Sequence, residues 1–215
     1  MATLREVKKR IRTVVSTPFV MVAVSILLLA SSSYGFDGNR RAVVLGGGLG
    51  YAPTSGWSGK ALDLTSSQVI DFDENKAGVG FNFLIGHGWD EKNLIVFEIN
   101  MSRWVSDLLA YQKSTGQIER ESIILQGYIG AVWYHYYGAL GRSLFTALGL
   151  GQYRFITLNS SDFDQRAGTA LLIGGGYEFA RHWQLGGYLS VGASSASYGG
   201  WTFTDFKILV SAMAF

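Results

Sequence analysis

Hydrophobic residues recur at every second position over most of the chain, as in a strand with two unlike faces. Across 77–86 the odd positions hold Val79, Phe81, Phe83 and Ile85, and the even ones Gly78, Gly80, Asn82, Leu84 and Gly86. Across 94–102 Ile95, Phe97, Ile99 and Met101 oppose Glu98, Asn100 and Ser102. The same division separates Leu171, Ile173, Tyr177 and Phe179 from Gly174, Gly176 and Glu178, and Leu185, Leu189 and Val191 from Gln184, Gly186 and Ser190. One face is apolar in every strand; the other is mostly small and polar, a poor core for a soluble sheet.

The alternation predicts eight strands, at 40–51, 76–87, 93–105, 119–136, 143–156, 166–179, 183–195 and 202–215. Short connections at 88–92, 137–142 and 180–182 alternate with mostly longer, more polar ones at 52–75, 106–118, 157–165 and 196–201. Short turns at one end and long loops at the other are the pattern of an outer-membrane barrel. Lipid cannot satisfy backbone polar groups, so strands cross it only as a closed barrel. The expected fold is all-β: an eight-stranded antiparallel up-and-down transmembrane barrel over 36–215, with both termini at the short-turn end.

The N-terminus changes the picture of location. Arg5, Lys8, Lys9, Arg10 and Arg12 precede a 13-residue apolar run, Pro18 to Ala30, and then small residues at 31–35. This is the make-up of a secretory signal peptide, cleaved after Gly35 or Ser32. The run is short for a spanning helix, which needs about 20 apolar residues. Without residues 1–35, the 18 Lys/Arg and 16 Asp/Glu become 13 and 15, a net charge of −2. The positive balance of the whole chain therefore belongs to the leader, and no basic patch implies nucleic acid. The chain has no cysteine, so neither disulfides nor thiolate metal sites arise.

With its leader, alternation, loop asymmetry and C-terminal Phe215, the chain resembles the small eight-stranded outer-membrane proteins of Gram-negative bacteria, such as the OmpA barrel domain, OmpX and OmpW. The segment GGGYEFARHW, 174–183, also resembles one in uncharacterised bacterial barrels of this type. The resemblance implies location in the cell envelope and contact with outer-membrane lipid and lipopolysaccharide. It implies that a terminal aromatic, preceded by apolar residues at every second position, marks the chain for the barrel-assembly machinery. Those positions here are Met213, Ser211, Leu209 and Lys207, and two of them depart from the pattern. Read for polarity alone, Asp205, Lys207 and Ser211 face inward and Ile208 and Val210 outward. A bulge would reconcile the two readings, and the facing of this strand stays open.

Candidate chemistry follows from these faces. The lumen is expected to hold Glu98, Glu178, Asn82, Gln126 and Gln184, with Lys207 as a charge partner, because buried carboxylates need counter-charges or hydrogen bonds. Such a set forms either a plug or, with Glu98 and Lys207 as gate residues, a narrow polar path for small or apolar solutes. The G-x-G pairs Gly46/Gly48 (with Gly50), Gly78/Gly80, Gly149/Gly151 and Gly174/Gly176 fall on the lumen parity, where a narrow barrel needs small residues. None completes the G-x-G-x-x-G of a dinucleotide turn: Tyr51 and Pro53 stand at the sixth positions. No cofactor is expected. Trp104, Trp133, Tyr137, Trp183 and Trp201 are expected to form an aromatic girdle.

His87, His135 and His182 lie at short-turn ends without metal-ligand spacing. They are also far from the outer leaflet, where lipid A-modifying barrels do their chemistry, so an enzyme is not expected. Asp71/Asp73 with Glu74, and Asp162/Asp164, read as solvated loop charge, with cation bridging to lipopolysaccharide phosphates as the sharper alternative. The expected role is that of a monomeric scaffold presenting four surface loops, with 52–75 the longest.

Overall fold

The computed structural model describes residues 39–63, 68–106, 122–157, 166–196 and 199–215; the leader lies outside them. The strands are β1 (Val43–Asp63), β2 (Gln68–Gly88), β3 (Asn93–Ser106), β4 (Ser122–Tyr136), β5 (Ser143–Thr157), β6 (Arg166–Ala180), β7 (Trp183–Ala196) and β8 (Gly199–Ala214). Each pairs antiparallel with the next in sequence, and β1 pairs with β8, so the sheet closes into an all-β barrel. Closure pairs the backbone of both terminal strands and removes the free edges of an open sheet. We call the rim that carries the start of β1, the end of β8 and the turns 88–93, 136–143 and 180–183 the lower rim.

The period-two pattern decides which way each side chain points. Leu49 and Leu150 are 69% exposed, whereas Glu98, Asn100, Asp205 and Lys207 are fully buried. The barrel is thus apolar outside and polar, aromatic and small inside.

The first connection is not a loop. Residues 52–63 and 68–75, expected in the long 52–75 connection, extend β1 and β2 into a hairpin paired from Ser55↔Lys76 to Asp63↔Gln68. A register shift between Ala52 and Ser55, and another against β8 between Tyr51 and Thr54, accommodate Pro53, which has no N–H to give a ladder. The extra residue switches the inward parity from even (Val44, Ala52) to odd (Ser55, Trp57). That switch breaks the alternation on which a strand is recognised. At the same rim, β7 and β8 are joined through residues 197 and 198 alone, against the expected connection at 196–201.

The last strand follows polarity. Asp205, Lys207, Leu209, Ser211 and Met213 are buried, while Ile208 and Val210 are exposed. Its pairing with β7 runs without a shift from Gly199 to Ala212, so no bulge mediates between the two readings.

Candidate functional site in the barrel interior

The interior is built in layers from the lower rim upward. Arg40 lies just before β1 and turns its guanidinium into the barrel. It pairs with Glu178 near the end of β6, donates from Nη1 to the Glu91 carbonyl at 2.8 Å, and sits 3.7 Å from the Tyr136 ring centroid. Both partners are almost fully buried, so each supplies the charge the other needs out of water. The Gly141 N–H donates to Glu178 Oε2 at 2.6 Å. Gly141 has φ +84°, a conformation that favours glycine. A Cβ at Gly88 would fall 1.5 Å from the Arg40 carbonyl oxygen, so the turn accepts no side chain there. Phe215 is buried at this rim with its ring against His182, centroids 5.2 Å apart.

Above this layer Tyr136 donates to Gln184 Oε1 at 2.9 Å, and Glu98 forms the centre of the next. Its Oε1 accepts from Asn82 Nδ2 at 3.0 Å and Asn100 Nδ2 at 2.8 Å, and its Oε2 from the Tyr134 hydroxyl at 2.6 Å. Ser211 donates to Asn82 Oδ1 at 3.3 Å, tying β8 to β2 across β1. Glu98 is therefore held by neutral donors. Lys207, expected as a charge partner within the lumen, pairs with Asp205 on its own face of β8. In a strand, residues two apart point the same way, so Asp205 is the nearest carboxylate by construction. Asp205 also accepts from Ser55 Oγ at 2.9 Å and Ser102 Oγ at 3.1 Å. Gln126 is buried beside Ser102, whose Oγ lies 3.3 Å from its backbone carbonyl oxygen. Its side-chain amide meets no partner among the described residues.

The upper end is aromatic. Trp57 stacks on Trp201 with centroids 5.0 Å apart and meets Phe155 at 5.2 Å; Tyr153 stacks on Phe203 at 4.3 Å. Two members of the expected girdle belong inside: Trp104 is 2% exposed and Trp201 6%. Each sits on the lumen parity of its strand, and the upper end is filled by large rings. Trp133, Tyr137 and Trp183, at the lower ends of β4 and β7, are on the outer face.

The lumen glycines make room for these layers. A Cβ at Gly48 would stand 2.2 Å from Ser211 Oγ, at Gly149 2.7 Å from the Tyr128 hydroxyl, and at Gly174 2.6 Å from the Tyr188 ring. At Gly80 it would press on Lys207 Cγ and Cδ at 3.2 Å and Leu209 at 3.0 Å. Gly46, Gly78, Gly151 and Gly176 would each bring a Cβ to 3.0 Å or less from a backbone oxygen across the strand pair.

Sequence reasoning missed Arg40, although the expected strand 40–51 put it on the even, lumen-facing parity; β1 itself starts at Val43, and Arg40 turns inward from the segment before it. It also missed Tyr134 and Tyr136, although both continue the inward register of Tyr128 and Val132. Among the described residues no three His, Cys, Asp or Glu side chains group closely enough to hold a metal ion. His135 and His182 are engaged through Nδ1 with Asn93 Oδ1 and the Met213 carbonyl, at 2.8 and 2.9 Å. Asp162 and Asp164 lie outside the described residues; Glu74 accepts from Trp57 Nε1 at 3.1 Å.

No protein-family model matches the chain, and no curated protein matches it. Among solved structures it is similar to the outer membrane protein OprG from Pseudomonas aeruginosa, at 12% identity over 82% of this chain and 98% of that one, TM-score 0.45. It is similar to the outer membrane protein AlkL, solved in lipid bilayers, at 13% identity over 85% and 93%, TM-score 0.44. It is also similar to Ail, the attachment invasion locus protein of Yersinia pestis, at 13% identity over 80% and 99%, TM-score 0.39.

Proposed function

We propose that the protein is an exported, monomeric outer-membrane barrel whose lumen is plugged and whose role is to hold surface loops and the β1–β2 hairpin outside the cell. The observation that carries the membrane reading is the inverted distribution of polarity. Large apolar side chains such as Leu49, Tyr51, Ile85, Phe97, Leu144 and Ile173 cover the outer wall at 46–69% exposure. Soluble monomers rarely expose contiguous apolar patches beyond a few hundred Å². Strands of 14 to 21 residues rise about 3.3 Å per residue and so exceed the 9–11 residues needed to cross a bilayer at a tilt. Residues 1–35 serve as the export signal, and lipopolysaccharide and the barrel-assembly machinery are the partners such a location provides.

The plug reading is supported by the interior: Tyr128, Tyr134, Tyr136, Tyr153, Tyr188 and Phe203 are fully buried there, with the Arg40–Glu178 pair at the lower rim and the Lys207–Asp205 pair further up. Planar-bilayer recording tests it, with no reproducible single-channel steps expected. Steps that change on Glu98→Ala would overturn the plug in favour of a narrow polar path, the reading that the succession of ionisable groups along the axis favours. Partition into the aqueous phase without detergent, or absence of heat-modifiable gel mobility, would overturn the membrane reading itself.

A further inference from the structure

The outer wall carries a shallow, open trench that a uniform lipid-facing surface would not have. On its outward parity Gly175 pairs with Gly187, flanked in the ladder by Thr146 and Ile208. Around Gly187 lies a recess of about 790 Å³, walled by Leu144, Tyr177, Leu185 and Phe206. A second recess of about 590 Å³ adjoins it through the shared residues Tyr137 and Thr146 and reaches Asn93, Trp133 and His135 at the lower rim. The trench therefore runs from a polar mouth to an apolar floor.

Nothing in the fold demands glycine at that floor. Gly187 is not among the described glycines with positive φ, and a Cβ there would meet only the Phe206 ring at 3.6–3.7 Å, an ordinary contact. Glycine inside a strand weakens it and marks sites of close approach by a ligand or another chain. Here it leaves a hollow that the surrounding medium must fill.

The mouth has a fixed hydrogen-bond polarity. Asn93 Nδ2 donates to the Asp90 carboxylate at 2.8 and 3.0 Å, so its other amide atom is the oxygen. That oxygen accepts from Trp133 Nε1 at 3.1 Å and contacts His135 Nδ1 at 2.8 Å. Nδ1 must then carry a hydrogen, which leaves Nε2 as the ring nitrogen able to accept. Hydrogen bonds from the Asn93 side chain, above all, hold the Asp90 carboxyl below its ordinary range, so it stays ionised. The mouth thus sets an acceptor nitrogen beside Asn93, whose amide holds the ionised Asp90 carboxylate, a combination that suits a cationic N–H donor.

We propose that this trench holds one phospholipid with a primary-amine headgroup, its ammonium donating to His135 Nε2 and its acyl chain lying over Gly187. The inference rests on the membrane reading. Gly187 is four residues along β7 from Trp183 at the rim, about 13 Å of strand, which places the floor at acyl-chain depth.

The test is native mass spectrometry of protein reconstituted in bilayers of equimolar phosphatidylethanolamine and phosphatidylglycerol and then released into mild detergent. Wild type is expected to retain one lipid, with ethanolamine favoured at least fivefold. Gly187→Leu, which fills the floor, is expected to lose the adduct. His135→Phe is expected to keep a lipid but lose the headgroup preference. Gly47→Leu, an outward glycine elsewhere with similar room, is expected to behave as wild type. Equal retention of both lipids by wild type, an unchanged adduct in Gly187→Leu, or a dimer that Gly187→Leu abolishes would each overturn the site. A reconstituted protein without any adduct overturns the site and leaves the membrane reading standing, whereas failure to reconstitute overturns both.

Discussion

Lys207 and Asp205 are both fully buried and paired, but their surroundings are unequal. If Lys207 is replaced by Met, the stranded Asp205 carboxylate keeps the Ser55 and Ser102 hydroxyls at 2.9 and 3.1 Å. If Asp205 is replaced by Leu, the stranded ammonium keeps no hydrogen-bond acceptor among the described residues. Breaking a buried pair by removing one partner costs about 3–5 kcal/mol. Hydrogen bonds to a charged group contribute about 1.5–3 kcal/mol each. Lys207→Met is therefore expected near the low end, about 3 kcal/mol, and Asp205→Leu near the high end, about 5 kcal/mol. The double variant removes both charges and is expected within about 1 kcal/mol of wild type or above it, since apolar replacement of a buried pair is often neutral or better. Urea titration of the protein folded in lipid vesicles, read by tryptophan emission and gel mobility, measures all three. Single variants costing under about 1 kcal/mol, a reversed order, or a double variant as unstable as the singles would refute the reasoning.

Gly50→Ala would bring a Cβ to 1.9 Å from the Ile208 carbonyl oxygen and is expected to cost about 3 kcal/mol or more. Gly47→Ala, whose Cβ would have 3.4 Å to the Asn82 oxygen, is expected within about 0.5 kcal/mol of wild type by the same titration. Tyr134→Phe removes the 2.6 Å donor to Glu98 and is expected to cost about 1.5–3 kcal/mol. Tyr137→Phe, which removes only an exposed 3.3 Å contact with Thr146, is expected to be near neutral and serves as its control. The Asp90 carboxyl is held below its ordinary range by Asn93 and the Lys92 backbone N–H. Its contribution to turn 88–92 is therefore complete above the unfolded carboxylate value and is lost as pH falls through the lower, folded value. Amide-exchange protection factors at Lys92 and Asn93, taken relative to intrinsic exchange at each pH, should be unchanged between pH 7 and 5 and fall only in stronger acid.

The barrel was legible because its two faces meet unlike surroundings, and period two records that contrast residue by residue. Reading failed where the period is interrupted or its meaning changes. Pro53 and the bulge beside it switch parity, so a hairpin looked like a loop. Trp104 and Trp201 were assigned by residue type to an interface, although their positions shared the parity of Ser102 and Phe203; position, not amphipathic character, set their facing. The same holds for β8, where charge decided and the terminal aromatic did not. Arg40 and its pairing with Glu178 were illegible for another reason. They join chain positions 138 apart, and no local pattern encodes which distant carboxylate meets a given guanidinium.

The interior hydrogen bonds also solve a problem of alignment. A strand slipped by one residue turns its apolar side chains inward and is rejected at once. A slip of two keeps every side chain on its proper face, and the evenly spaced Gly46, Gly48 and Gly50 of β1 are almost blind to it. Such a slip carries Asp205 about 6.6 Å along β1, out of reach of Ser55, and parts Ser211 from Asn82. Hydrophobicity thus sorts odd from even, while the buried polar contacts across the β1–β8 seam count the residues. The polar interior acts as a vernier for closing the ring.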